Sequence, residues 1–150
     1  MGPLVSVIML NYNSAKIMDV VKESVSSVKT AGYDDYELLF VDNGSSDGSY
    51  EVMSRYVESA GLRSVKIIRS ERNMGFTGGN NLGFRERSGE SEYTLLLNND
   101  AVLIPGSLKV LVKLMDEDGG IGALNGAILD YAGKRMIGVP SFIDEMIGVV

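Results

Sequence analysis

The sequence contains no cysteine and no histidine. Without cysteine there is neither a disulfide framework nor a thiolate metal site, a pattern that fits a reducing compartment. Without histidine, imidazole acid–base catalysis and His-ligated zinc are both excluded. Positive charge is scarce as well: 14 Lys and Arg stand against 20 Asp and Glu, a net charge of −6. The nearest approach to a basic cluster, Arg85 and Arg87, is broken by Glu86. The basic face that grips nucleic acid is therefore missing, and nucleic acid is not an expected partner. An acidic chain that binds a phosphorylated ligand needs backbone N–H groups or a divalent cation to mediate the contact.

Long apolar runs are lacking too. None approaches the ~18–20 residues of a membrane span, and Met1-Gly2-Pro3 leads straight into a strand-like run instead of a basic and apolar signal peptide. The expected location is the cytoplasm, with the cytoplasmic face of the membrane open to a longer parent protein.

What is present suits one domain over residues 1–150, long enough to bury a core without staples. Leu4 to Leu10 is apolar apart from Ser6 and stops at Asn11-Tyr12-Asn13-Ser14, which reads as a buried parallel strand. Ile17, Val20, Val21, Val25 and Val28 then recur at helical spacing up to Gly32. The alternation continues with a strand over Glu37 to Val41, and a helix carrying Val52, Met53, Tyr56, Val57 and Ala60, with Ser45, Ser46 or Asp47 as N-cap. A strand over Val65 to Ile68 is followed by a loop over Asn73 to Gly79 and a short helix over Asn80 to Arg87. The strand Tyr93 to Leu97 precedes a helix with Pro105 in its first turn and Leu108, Leu111, Val112 and Met115 as its buried stripe. Ile121 to Leu124 and Ala127 to Leu129 are expected to add strands. The tail from Met136 to Val150 is apolar enough to read as a truncated end or as one that packs on something.

Strands alternating with helices give an α/β fold with a mainly parallel sheet. In such sheets ligands bind outside the carboxyl ends of the strands. The polar clusters Asn11–Asn13, Asp42, Asn73–Asn81 and Asn98–Asp100 all fall at that rim.

Each cluster has a functional and a plainer reading. The Asp42 carboxylate can accept the imide N–H of uracil or thymine, or it can simply turn the chain. The glycines of Gly75-Phe76-Thr77-Gly78-Gly79 let backbone approach a phosphate at a helix start, or they mark a flexible loop. They match neither the dinucleotide fingerprint nor a P-loop. Asn98-Asn99-Asp100 offers one carboxylate to a Mg²⁺ or Mn²⁺ ion completed by diphosphate oxygens, or it is an ordinary turn. Asp34, Asp35, Glu71, Glu86, Glu90, Glu92, Asp116, Glu117 and Asp118 read as solvated surface.

Taken in order, four blocks resemble glycosyltransferase family 2, which has the GT-A fold. They are Val5 to Asn13, Val41 to Gly48, Asn73 to Gly83 and Leu95 to Asp100, and the third is similar to the rhamnosyltransferase-type branch. The resemblance spans about Val5 to about Gly133. It implies a GT-A-like three-layer fold, truncated before the part that holds the acceptor. It also implies that Asn11, Tyr12 and Asn13 line a nucleotide pocket with Asp42 on the base. Gly75 and Gly78 would approach the ribose or diphosphate, with Asn80 and Asn81 nearby. Asn98, Asn99 and Asp100 occupy the place of the family's Asp-x-Asp motif, with Asp100 as metal ligand and Asn98 standing where the first Asp is usual. The implied activity is inverting transfer from a UDP- or dTDP-sugar to a saccharide or lipid-linked acceptor, assisted by Mg²⁺ or Mn²⁺. The family's catalytic base lies beyond the motif; past Gly133 only the acidic pair Asp144-Glu145 is found, and the base is left unassigned.

Two other readings stay open: a module of the same fold that holds a nucleotide-sugar or a partner chain without turnover, and a sugar nucleotidyltransferase. The second normally has a Gly-rich, basic loop after its first strand, unlike Asn11-Tyr12-Asn13. An unpaired sheet edge also offers a route to a homodimer.

Overall fold

The computed structural model describes residues 2–130 and 132–138, together with the backbone of residues 143–144 and 148–149. The chain divides into two compact units, Met1–Lys109 and Val110–Val150.

The first unit holds four parallel strands: β1 (Leu4–Asn11), β2 (Tyr36–Asp42), β3 (Val65–Arg69) and β4 (Ser91–Asn98), in the spatial order β3-β2-β1-β4. Between them run the helices α1 (Met18–Thr30), α2 (Ser49–Ser59) and α3 (Gly75–Glu86). The two central strands are the continuous apolar runs of the sequence, and Val7, Ile8, Met9, Leu38, Leu39, Phe40 and Val41 have no exposed surface. Full burial of each such side chain contributes about 1.5–3 kcal/mol.

Alternation along β1 sorts the helices. Ile8 and Leu10 pack with Leu39, Val41, Ile68 and Leu82 of α3, whereas Met9 meets Ser24 of α1. The α1 and α2 helices are joined where the Ser26 and Tyr56 hydroxyls meet at 2.7 Å. This arrangement follows from handedness. Strands β1 to β3 step one way across the sheet and β4 returns to the far side of β1, so right-handed crossovers put α3 on the opposite face from α1 and α2. The reversal makes β1 and β4 the switch point of the sheet, where a crevice opens at the carboxyl ends.

The helix α4 (Ser107–Glu117) begins in the first unit and runs into the second. Its least exposed positions are Leu108, Leu111, Val112 and Met115, the stripe read from periodicity. In the second unit β5 (Ile128–Leu129) pairs antiparallel with β6 (Met136–Gly138), and β7 (Ile143–Asp144) pairs with β8 (Gly148–Val149).

Several local expectations differ from what forms. Ile121 to Leu124 makes no strand; the run is interrupted by Gly122, and among the described residues no strand pairs with it. Pro105 precedes α4 in a turn, closed by the Ser107 N–H donating to the Ile104 carbonyl at 2.9 Å. At the start of α2 the cap position falls on Gly48 at φ 83°, although Asp47 still accepts from the Ser49 N–H at 3.0 Å. The stretch Gly75 to Gly79, read as loop, is the first turn and a half of α3. Of the tail, Tyr131, residues 139–142, 145–147 and Val150 lie outside the described residues, Glu145 among them, and for Asp144 only the backbone is described.

Candidate functional site

The four strands end almost level, and their pairing lines up their last residues. Asn11 is paired with Asp42, Asp42 with Arg69, and Leu10 with Asn98, which places Asn99 beside Asn11. A row of polar side chains, Arg69–Asp42–Asn11–Asn99, thus crosses the whole carboxyl rim.

Asn11 is the centre of that row. Its amide donates to Asp42 Oδ1 at 3.0 Å and to Ser45 Oγ at 3.4 Å. Its oxygen accepts from Ser14 Oγ at 2.6 Å and from Asn99 Nδ2 at 3.2 Å. Both lone pairs and both N–H groups are used, and the side chain is wholly buried. Asp42 is equally buried; its Oδ2 accepts from the Ser45 N–H at 3.0 Å and lies 3.8 Å from Arg69 Nε. Asn11 and Asp42 therefore frame the site from beneath and are not its surface.

The loop after β2 fastens its neighbours on both sides. Toward β1, Asn13 N donates to Ser45 Oγ at 3.0 Å, Ser46 N donates to Asn13 Oδ1 at 2.9 Å, and Ala15 N donates to Asp47 Oδ2 at 2.8 Å. Asn13 holds a positive φ of 47° in this arrangement, a conformation that asparagine tolerates better than most residues. The Ser49 hydroxyl first, with the Ala15 and Ser49 N–H groups, holds the Asp47 carboxyl below its ordinary 3.8 against the opposing effect of desolvation. Toward β3, Asn43 donates to Asn73 Oδ1 at 2.9 Å and to the Gly75 carbonyl at 3.1 Å, and accepts from the Met74 N–H at 2.9 Å. Gly44 has φ +75°, and a Cβ there would stand 2.8 Å from Arg72 Cα, so only glycine lets these two loops touch.

The remaining sequence candidates fall into two groups. Tyr12 is 45% exposed at the rim, and Asn98 and Asp100 are exposed where β4 ends. In α3, Gly75 (φ +72°) and Asn81 are exposed, whereas Gly78 faces Met74 of its own helix and Asn80 is buried, donating to the Phe76 carbonyl at 2.9 Å. Two further glycines of that block serve packing: a Cβ on Gly79 would strike Leu10, and one on Gly83 would come 2.6 Å from Ile8 Cγ2.

Two groups were missed in the sequence, Asn43 and Arg69. Arg69 closes an apolar strand just as Asp42 does, so the rule that picked out Asp42 applies to it as well. It lines an open, polar depression on the surface with Gly44, Ser45, Ser46, Ser70 and Glu71.

For a divalent cation the donor set is sparse. Among the described residues no three carboxylates gather, and Asn99 is turned inward to Asn11. That leaves the Asp100 carboxylate, which fits a Mg²⁺ or Mn²⁺ ion whose remaining ligands are ligand phosphates and water.

A parallel sheet with helices on both faces and an in-register polar rim at its switch point is the layout of GT-A type glycosyltransferases. The mannosyltransferase of Pyrobaculum calidifontis, solved in complex with GDP-Man and Mn²⁺, superposes with a TM-score of 0.63 at 23% identity, over 75% of this chain and 31% of that one. The family model for glycosyl transferase family 2 matches residues 6–134, and the chain belongs to that family. An uncharacterized glycosyltransferase of Haemophilus influenzae is 29% identical over 138 residues, 91% of this chain. A UDP-Glc:alpha-D-GlcNAc-diphosphoundecaprenol beta-1,3-glucosyltransferase of Escherichia coli is 29% identical over 112 residues, 75% of this chain. The chain spans 40% and 41% of the lengths of these two relatives. No helix among the described residues is long and apolar enough to cross a membrane.

Proposed function

We propose that this chain is the donor-binding part of an inverting glycosyltransferase that uses a UDP- or dTDP-sugar with Mg²⁺ or Mn²⁺. The sugar passes to a saccharide or lipid-linked acceptor, as in the E. coli relative, whose name specifies a UDP-sugar and a diphosphoundecaprenol-linked acceptor. The observation that carries this reading is the in-register row at the rim. From β2 to β4 is two strand spacings, about 10 Å, which suits a nucleotide with its base near Asp42 and its diphosphate near Asp100.

On this reading Tyr12 offers a flat face to the base or ribose, and Asn13 sits beside it. The Gly75 N–H is held by Asn73 Oδ1 at 2.7 Å, so the next N–H groups of the exposed first turn of α3, up to Gly78, are the ones offered to the donor, with Asn81 on the same helix. Asn80 supports that turn from inside. Asn98 and Asp100 meet the diphosphate, and Asn99 ties their loop to Asn11. An acceptor hydroxyl, its proton taken by a carboxylate base, then attacks the anomeric carbon as the bond to the nucleoside diphosphate breaks. Asp100 would hold a divalent cation there, whose charge would offset that developing on the leaving group.

Titration calorimetry of UDP and dTDP, with and without Mn²⁺, tests the reading. The expected result is Mn²⁺-dependent binding that becomes metal-independent and weaker in Asp100→Ala. If neither nucleotide binds under any metal condition, the donor-site reading fails.

A further inference from the structure

Arg69 has no role in the donor site as assigned so far, yet it is the most constrained cation at the rim. Its guanidinium carbon lies 4.0 Å from the centroid of the Tyr50 ring. Nε is 3.8 Å from the Asp42 carboxylate, Nη1 is 3.7 Å from the Glu51 carboxylate, and Nη2 donates to the Ser45 carbonyl at 3.5 Å. The ring and the two carboxylates bias the guanidinium toward the rim before a ligand arrives. Of its five N–H groups, one donates to the Ser45 carbonyl, and the two carboxylates attract the guanidinium without hydrogen-bonding it. The side chain is still 45% exposed, and it is the wall of the depression formed with Gly44, Ser45, Ser46, Ser70 and Glu71.

Charge decides what that depression accepts. Asp42 and Glu51 already outweigh the single charge of Arg69, and Glu71 adds a further carboxylate to the wall, so a diphosphate would meet a net negative field. A neutral, planar ring bearing carbonyl oxygens meets no such penalty. Position agrees with charge. From β4 to β3 is three strand spacings, about 14 Å, so a nucleotide whose diphosphate rests at Asp100 extends its base over β2 and β3.

We propose that Arg69 is a specificity-determining residue of the donor site, donating a hydrogen bond to the 4-oxo group of a uracil or thymine base. The inference rests on the donor reading and extends it. Asp42 acts through Arg69 as a positioning residue: its own side chain has no exposed surface, and its oxygens already accept from Asn11 and Ser45. Cytosine carries an amino group at position 4, so the guanidinium would oppose donor to donor and leave both unpaired.

The test is calorimetric titration of UDP and CDP, with Mn²⁺, into the unmodified chain, Arg69→Ala, the length-matched Arg69→Met, and Asp42→Asn. The unmodified chain is expected to prefer UDP by roughly tenfold. Both Arg69 variants should bring the UDP/CDP ratio close to unity, and Asp42→Asn should lower it part of the way. Circular dichroism melting identifies a variant that fails to fold, and the other Arg69 variant then gives the answer. Equal losses for UDP and CDP, with the ratio intact, would make Arg69 merely structural and overturn the proposal. Equal binding of UDP and CDP by the unmodified chain also overturns it while leaving the donor reading in place. Binding of neither overturns both.

Discussion

The Asn11 carboxamide donates to the Asp42 carboxylate over 3.0 Å, and neither side chain reaches solvent. This bond joins the ends of β1 and β2, and through Asn99 it reaches the end of β4. The rim of the sheet is therefore set by one buried amide whose four hydrogen-bonding positions are all filled.

Asn11→Ala should lower the unfolding free energy by about 2–3 kcal/mol, because it strips a partner from a buried carboxylate and from Ser14 and Asn99. Asn11→Asp keeps the shape but sets two carboxylates side by side, and like charges disfavour joint ionisation. Its deficit should shrink as pH is lowered and one of the pair protonates. Urea unfolding at neutral and mildly acidic pH measures both effects, and a pH-independent deficit for Asn11→Asp would contradict this account of the pair.

Gly83→Ala should destabilise the chain even though alanine is the better helix former. The added methyl would stand 2.6 Å from Ile8 Cγ2 and 3.1 Å from Val41 Cγ2, both on stiff, β-branched and fully buried side chains. Overpacking costs about 1–3 kcal/mol, against about 1 kcal/mol gained in helix propensity. The expected net loss is about 1 kcal/mol in chemical denaturation. A gain in stability would mean that α3 has room above the sheet.

Asp47 ties the loop after β1 to the start of α2, and its carboxyl sits below the ordinary 3.8 because the Ser49 hydroxyl and the N–H groups of Ala15 and Ser49 favour its charged form. A carboxyl whose folded value is depressed stabilises the fold fully above its unfolded value and loses that contribution as pH falls through the folded value. The melting temperature should therefore drop below pH 3.8 with an Asp47 component. Asp47→Asn should melt lower than the unmodified chain at pH 6, and the gap should close in acid. Parallel melting curves with a constant gap at every pH would refute this.

The parts of the fold that were legible in the sequence are those written in local pattern. Runs such as Leu4 to Leu10, apolar but for Ser6, and Leu38 to Val41 mark strands buried on both faces, because a central strand has little polar side to show. Helical spacing placed Val21, Val25 and Val28 on the buried face of α1 and Leu108 and Val112 on that of α4. The rim residues announced themselves as Asn, Asp and Gly clusters where apolar runs stop. Ile121 to Leu124 shows the limit of that method, since an apolar run becomes a strand only where a neighbour completes its hydrogen bonds.

The amino-acid sequence by itself determined the four sheet strands, the main helices and the gathering of polar side chains where the strands end, since periodicity and turn chemistry act over a few residues. Tertiary structure alone decided that Arg69, Asp42, Asn11 and Asn99 stand in one row, through the strand order β3-β2-β1-β4 and its register. It likewise decided that Gly79 and Gly83 admit the sheet beneath α3, and that Asn43 clasps a loop 30 residues away. Such relations depend on which distant segments become neighbours, and that is set by the packing of the whole sheet and the handedness of its crossovers.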